Sequence, residues 1–395
     1  MSPDKIVLRA YNVGFGDCFL LTFHYAARQC RVLIDFGSSA PPHGAPSGYM
    51  LRIARDIAAG GRLHAVVATH RHRDHISGFG SACGKIIASL APDAVIQPWT
   101  EDPAAAPDGT GKPGAGTRGE QDMLNRSAVQ CLLEMGRKGR AVYVHGGAPS
   151  GLEELLPGVD VFVLGPPALE QSAAIRHERP RDAEEYWQFR AFWESQAGAG
   201  KSADLFPHAP RYTSDTAPAN LRWFLARARR IRVEQAQEFV RALDHVLNNT
   251  SVILLFRVGD FSLLFPGDAQ IENWSWSLGQ KRYRELLRAV NVYKVGHHGS
   301  LNATPRSLWK LFAHRTRNED EPGRLLTVLS TRSGQHGSEP AHTEVPRQTL
   351  LDTLAHESNL FCTQSLPKSQ LYKEFEFPLA EFGGPLPSSR RPRNT

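Results

Sequence analysis

The order of strand and helix signals predicts an α/β protein in which sheets are covered by helices. Short apolar, β-branched runs bounded by Gly, Pro and Asp recur in both halves of the chain, and segments of helix length fall between several of them. Neither an internal repeat nor a long heptad interrupts the alternation. With 395 residues, 41% hydrophobic and 22% charged, the chain can bury a substantial core as two ordinary domains or one enlarged one. Disorder as the dominant state is excluded by this composition. A collagen-like fibre is excluded by 34 glycines and 27 prolines that show no period.

The elements follow in order. Residues 6–10, 18–25 and 31–34 read as strands, separated by turns at Gly14, Gly16, Asp17 and then Asp35 and Gly37. A helix over 50–59 leads to an apolar strand at 63–69 that runs directly into a histidine cluster. A helix over 76–90 and a strand at 94–97 come next. Residues 101–119, rich in Pro, Gly, Ala and Asp, predict a flexible insertion; their GTGKPG lacks the spacing and hydroxyl of a phosphate-binding loop. Then come a helix over 121–136 and strands at 141–145 and 159–164.

Residues 168–240 predict a second insertion, irregular over 168–218, with a long helix over 219–243 that carries Arg222, Arg227 and Arg230. Strands at 251–257 and 261–265 meet at the Gly259-Asp260 turn as a hairpin. A helix over 280–289, a strand at 292–295, a helix from Pro305, a strand at 325–330, a helix over 346–355 and a last strand at 359–363 complete the chain.

No apolar run is long enough to cross a bilayer and the start of the chain carries no signal-like stretch, so the expectation is a cytoplasmic protein without membrane insertion. Cys18, Cys30, Cys83, Cys131 and Cys362 are scattered and odd in number, and read as small hydrophobes in a reducing compartment. Lys and Arg total 46 against 40 Asp and Glu, a net charge of +6 that permits a polyanionic substrate without requiring one.

The chemistry is concentrated in ATHRHRDHISG at 68–78. His70, His72, Asp74 and His75 occupy the end of an apolar strand and the turn after it, where alternate residues share a side. Imidazole and carboxylate are good zinc ligands, and four in six residues is the density of a two-metal site. Distant partners are Asp268 in LLFPGDA and the His297-His298 pair in VGHHGS, each following an apolar strand. Asp17 and Asp35 are candidates to support ligand histidines from outside, since such histidines donate their other nitrogen to an oxygen; both also suit Asx turns beside glycines.

NVGFGDCFLL at 12–21, VLIDFG at 32–37, THRHRDHISG at 69–78, NNTSVILLF at 248–256, LLFPGDA at 263–269 and KVGHHGS at 294–300 together resemble the metallo-β-lactamase fold hydrolases. The branch they are most similar to is the hydrolase domain of ComEC competence proteins. The resemblance implies an αββα sandwich formed by a single catalytic domain over 1–395 with insertions at 101–119 and 168–240, and two divalent metal ions, Zn²⁺ or Mn²⁺. It implies that His70, His72 and a further histidine hold one metal. Asp74, His75 and His298 hold the other, with Asp268 between them. His245, six residues before Ser251, is the candidate for the further histidine, with Asn248 and Asn249 as possible substitutes. His297 is expected to orient or protonate the substrate's phosphate, and His336 or His342, in TRSGQHGSEPAHTEV, to contact substrate.

The expected function is hydrolysis by a metal-bound hydroxide, with a phosphodiester such as nucleic acid as substrate and Asp74, His297 and His336 as catalytic candidates. Arginines of 219–243 would serve as phosphate contacts. Trp274 and Trp276 would either wall the pocket or pack in the core. Two other readings stay open at this point. One is hydrolysis of a small ester, lactone, thioester or β-lactam. The other is a catalytically weak nucleic-acid-binding or complex-forming protein.

Overall fold

The computed structural model describes residues 2–103, 125–168, 170–172, 248–302, 304–337, 343–367 and 369–382. The helix expected over 219–243, its arginines, His245, His342 and nearly all of both expected insertions lie outside the described residues.

The first sheet contains β1 (Lys5–Tyr11), β2 (Cys18–Tyr25), β3 (Arg28–Phe36), β4 (Ala65–Val67), β5 (Ala94–Pro98) and β6 (Arg140–Val144). The second contains β7 (Asp160–Gly165), β8 (Ile253–Val258), β9 (Phe261–Phe265), β10 (Val292–Lys294), β11 (Leu326–Leu329) and β12 (Asn359–Cys362). A last strand, β13 (Tyr372–Pro378), returns to the first sheet, so the spatial orders are 13-1-2-3-4-5-6 and 12-11-10-9-8-7. The halves share one plan: β1–β3 and β7–β9 are antiparallel, then β4–β6 and β10–β12 add in parallel.

Parallel additions need crossovers, and helices supply them. In the first half these are α1 (Tyr49–Ala59), the single turn α2 (Arg73–Ile76), α3 (Ser81–Ser89) and α4 (Arg126–Lys138). In the second they are α5 (Ile271–Gly279), α6 (Lys281–Arg288), α7 (Arg306–Leu311) and α8 (Gln348–Glu357).

Both faces of both sheets are buried, which is why the central strands read as continuous apolar runs. Leu8, Phe19, Phe23 and Val32 meet Leu254, Phe256, Phe265 and Val292 between the sheets, with Phe19 and Phe265 rings 5.8 Å apart. Alternate residues Leu20, Leu33, Val66 and Val95 face Ile53, Ile57, Ile87 and Leu132 of the helices outside the first sheet. Leu255, Leu264, Tyr293 and Leu329 face Trp274, Leu287, Trp309 and Leu350 outside the second. The result is an αββα sandwich of two mixed sheets flanked by helices, compatible with a metallo-β-lactamase-type fold. Among the described residues no helix is long and apolar enough to cross a membrane.

Three elements differ from expectation. The helix expected over 76–90 is broken: Gly80 is extended (φ −80°, ψ 161°), and a Cβ on Gly78 would lie 2.5 Å from the Phe36 ring, so the chain turns sharply before α3. Residues 271–279 are helical, and their Trp274 is fully buried in the core outside the second sheet rather than walling a pocket; Trp276 packs edge-on against Tyr283. The strand β13 is additional. Its YKEFEFP alternation packs Phe375 and Phe377 against the central core while Glu374 and Glu376 pair with Arg9 and Lys5 of β1 at 2.6 and 3.0 Å, charges that blunt a sheet edge.

Candidate metal centre

The site lies where β3, β4, β9, β10 and β11 end, at the carboxyl ends of strands where α/β folds place ligands. Leaving β3, Asp35 adopts φ 56°; leaving β10, His297 and His298 adopt φ 40° and 51°. Among the described residues five non-glycine residues have positive φ, and three of them are here. Left-handed backbone disfavours such side chains, so its concentration at one place marks a region held by its surroundings for a purpose other than stability.

The segment Thr69–Ile76 is gripped from outside. The Asp17 N–H donates to the Asp74 carbonyl at 2.9 Å, and the Gly37 N–H to the Asp17 carbonyl at 3.0 Å. A Cβ on Gly37 would lie 2.5 Å from the backbone of Asp74 and His75, so only glycine admits this contact. Asp35 takes the Thr69 N–H on Oδ1 at 2.7 Å and the Thr69 hydroxyl on Oδ2 at 2.8 Å.

That last bond fixes a tautomer. With its proton given to Asp35, the Thr69 oxygen accepts from His70 Nδ1 at 3.1 Å, leaving the His70 Nε2 lone pair pointing inward. His75 Nδ1 donates to Asp35 Oδ2 at 2.7 Å, and His298 Nδ1 donates to the Ser330 carbonyl at 3.0 Å. Three imidazoles from two sheets are therefore each anchored by an oxygen, His75 and His298 with Nε2 toward a common group and His70 with Nε2 toward His72 beside it.

What they face is a set of side chains that could hold a metal ion. Asp74, His75, Asp268 and His298 bring ligand atoms within 4.8 Å of one another. His298 Nε2 lies 2.9 Å from Asp74 Oδ2 and 3.4 Å from Asp268 Oδ2, and His75 Nε2 lies 3.0 Å from Asp268 Oδ2. The His75–Asp268 contact is close but has no hydrogen-bond geometry, so the fully buried His75 Nε2 is left without a hydrogen-bond partner. His298 Nε2 and Asp74 Oδ2 are hydrogen-bonded, whereas His75 Nε2 is not, and together the four side chains crowd donor atoms of the kind a cation takes around one place. Beside them His70 Nε2 and His72 Nδ1 stand 3.0 Å apart, with the His70 and His75 rings 4.2 Å centre to centre.

The electrostatics agree. Burial opposes charge on His75, yet Asp268, Asp35 and Asp17 hold its pKa well above the ordinary value. Burial is likewise outweighed at His298, by Asp268 and Asp74. Asp268 stays ionised, its pKa held well down against burial by His75, His298 and Lys294. A field that draws protons onto two buried imidazoles also attracts divalent cations. His70 is driven the other way, by burial and by His75 and His72, and stays neutral as a ligand must.

A second group, Asp17, Asp35 and His75, adjoins the first and shares His75 through its other nitrogen. Here the ammonium of Lys294 is already in place. It is buried, paired with Asp17, 3.5 Å from Asp268 Oδ1 and bonded to the Gly267 carbonyl at 3.0 Å. Burial alone would lower the Lys294 pKa, but Asp17 and Asp268 raise it and keep the ammonium charged, while burial raises the Asp17 carboxyl pKa against the pull of Lys294, His75 and His298. Asp268 is thereby divided, Oδ2 toward the histidines and Oδ1 toward the ammonium.

His297 stands apart from this cluster. Ser300 Oγ donates to Asn302 Oδ1 at 2.9 Å and accepts from His297 Nδ1 at 2.8 Å, and His297 Nε2 accepts from Asn248 Nδ2 at 3.3 Å. Burial lowers its pKa to about 4, so it is neutral with both nitrogens engaged, and it has no proton on Nε2 to donate. Asn248 is left with Oδ1 buried and unpartnered, and Asn249 with its whole amide so. His336 is exposed and stacks 4.5 Å from Phe15, whose ring also lies 4.3 Å from His298.

Thus Asp74, His75, Asp268 and His298 come together, with His70 and His72 adjacent, whereas His297 and His336 flank them. Sequence reasoning passed over Lys294, whose signal is a lysine inside an otherwise apolar strand, and Thr69, a hydroxyl directly before the candidate ligand His70. Ser330 acts through its carbonyl and left no side-chain signal. No protein-family model matches the chain, and no curated protein matches its sequence. The two adjacent His/Asp groups nonetheless define a buried candidate site for divalent metals, consistent with a hydrolase.

Proposed function

We propose that the chain is a dinuclear metal-dependent phosphodiesterase acting on nucleic acid, built as one catalytic domain over 1–395 with insertions at 101–119 and 168–240 and related to the hydrolase domain of ComEC competence proteins. The observation that carries the hydrolase reading is the convergence of Asp74, His75, Asp268 and His298 on one point, with three Nε2 atoms oriented by outer oxygens. The KVGHHGS resemblance and the +6 net charge favour a phosphodiester.

On this reading His70 and His72 hold one metal. Asp74, His75 and His298 would hold the other, with Asp268, whose Oδ2 lies against His75 and His298, as the ligand shared between them and Zn²⁺ or Mn²⁺ as the ion. The Asn248 Oδ1, buried beside His297, is an available further donor if His245 does not serve. Divalent ions so held supply Lewis acidity toward phosphoryl oxygens and lower the pKa of water.

The chain's own contribution is orientation. Asp35, Thr69 and the Ser330 carbonyl fix three ligand imidazoles before substrate arrives, and Lys294 fixes Asp268. His297 holds the Asn248 amide beside the site and, on this reading, orients the substrate's phosphate.

The test is cleavage of labelled single- and double-stranded DNA at low salt with Mn²⁺ or Zn²⁺, wild type against Asp268→Asn. Cleavage that disappears in the variant supports the reading. Cleavage equal in both, or none on either DNA, overturns DNA hydrolysis; RNA, a small phosphodiester and an acyl substrate would then be tried on the same pair of proteins.

A further inference from the structure

Two of the hollows among the described residues differ sharply in their place relative to the site. One of about 670 Å³, bordered by Arg257, Asp260 and His314, lies at the β8–β9 turn, away from the strand ends that carry the metal ligands. The other, about 430 Å³, is within the 300–1,000 Å³ range of small-molecule sites and borders the centre. Its wall residue Thr331 follows Ser330, whose carbonyl holds His298, and its wall residue Gly14 precedes Phe15, whose ring lies on His298.

The chemistry of the second hollow is opposite to that of the centre. Among the described residues no carboxylate lines it; its charge is the Arg332 guanidinium, with His43 alongside. Arg332 spends one terminal nitrogen on the Pro41 carbonyl and the other on the His43 ring, at 3.0 Å, while its Nε is buried and has no partner. A guanidinium on the wall of a hollow that no described carboxylate lines leaves a positive charge there that an anionic group would neutralise. Pro42, Pro46 and Tyr49 give the same hollow an apolar wall.

We infer that this cavity is a subsite for an organic phosphate, its flat apolar body against Pro42, Pro46 and Tyr49 and its anionic group on Arg332. This rests on the phosphodiesterase reading in one respect: the group bound is then the nucleotide next to the bond cleaved. Specificity for nucleotide polymers over simple diesters would come from this subsite, not from the metals.

The experiment is calorimetric binding of 5′-AMP, adenosine and inorganic phosphate to the full-length wild type, Arg332→Gln, Ala45→Trp and Asp268→Asn. The last two separate filling the cavity from disabling the centre, and thermal melts confirm that each variant is folded. Expected are 5′-AMP binding at least tenfold tighter than adenosine or phosphate, a tenfold or greater loss in Arg332→Gln and Ala45→Trp, and binding within about twofold of wild type in Asp268→Asn. Equal 5′-AMP binding by wild type, Arg332→Gln and Ala45→Trp overturns the subsite. So does loss of 5′-AMP binding confined to Asp268→Asn, which would place the anion on the metals. No 5′-AMP binding at millimolar concentration also overturns it. DNA cleavage that survives Asp268→Asn would instead overturn the phosphodiesterase reading and leave these binding outcomes as they stand.

Discussion

The two halves of the sandwich repeat one topology and deliver their ligands in different ways. Asp35 lies near the end of β3 and Asp268 beyond the end of β9, the corresponding third strand of each half; the histidine cluster follows β4, and His297 and His298 follow β10. Asp35 turns away from the centre to hold Thr69 and His75, whereas Asp268 faces it. Equivalent strand ends thus supply equivalent residue types, and local packing decides which becomes a ligand and which a support. The first half packs His70, His72, Asp74 and His75 into one turn and braces them with its own Asp35. The second contributes isolated residues whose convergence depends on sheet packing, and it needs Lys294 to hold Asp268.

The largest effect that would sharpen this contrast is on stability. Lys294→Met takes from the buried Asp17 its nearest cation, leaving only the His75 and His298 rings at 3.7 Å, and breaking such a pair costs about 3–5 kcal/mol. The double variant Asp17→Asn/Lys294→Met removes both charges and is expected to recover most of the loss in urea unfolding. If the single variant were as stable as wild type, the second half would not depend on this ion pair. Next is activity. Asp268→Asn should lower kcat at least 100-fold, about 2.7 kcal/mol of barrier, while the fold survives, since Asp268 belongs to the site and not to the core. Asp35→Asn, its counterpart, should act mainly on metal affinity, by about 10–100-fold, with kcat recovered at saturating metal. Equal losses of kcat in the two variants, unrelieved by metal, would erase the distinction between ligand and support.

What could be read from the sequence follows the same division. Four ligand-type residues in one turn announce themselves because local spacing alone brings them together. Asp268 and His298 stood out as polar residues after apolar strands and through the motifs around them, but the meeting of His298 with Asp74 across 224 positions in sequence is a tertiary fact. The strands were legible because both faces are buried; β13 was not, since an edge strand needs only one apolar face and its alternating glutamates read as solvent-exposed loop. Lys294 was hidden by its strand, and the Ser330 carbonyl by belonging to every residue type alike. The break before α3 reflects the Phe36 ring against Gly78, a contact no helical period records.

The smallest prediction concerns the end of the first sheet opposite the centre. His64 precedes β4, and its Nδ1 accepts the Arg31 N–H at 3.1 Å, so only the neutral ring fits. Burial lowers its pKa, Arg62, Arg28 and Arg31 lower it further, and Asp93 only partly offsets them. The unfolded chain therefore takes up this proton first as pH falls below about 6.5, and stability declines from there downward. His64→Gln keeps an acceptor for Arg31 but does not titrate, so urea midpoints between pH 5.5 and 7.5 should vary less in the variant than in wild type. At the metal centre carboxylates make buried histidines attract positive charge; at His64 burial and arginines make one reject it. An unchanged pH slope in His64→Gln would mean that this end of the sandwich imposes no such preference, and that the contrast in histidine environments is confined to the centre.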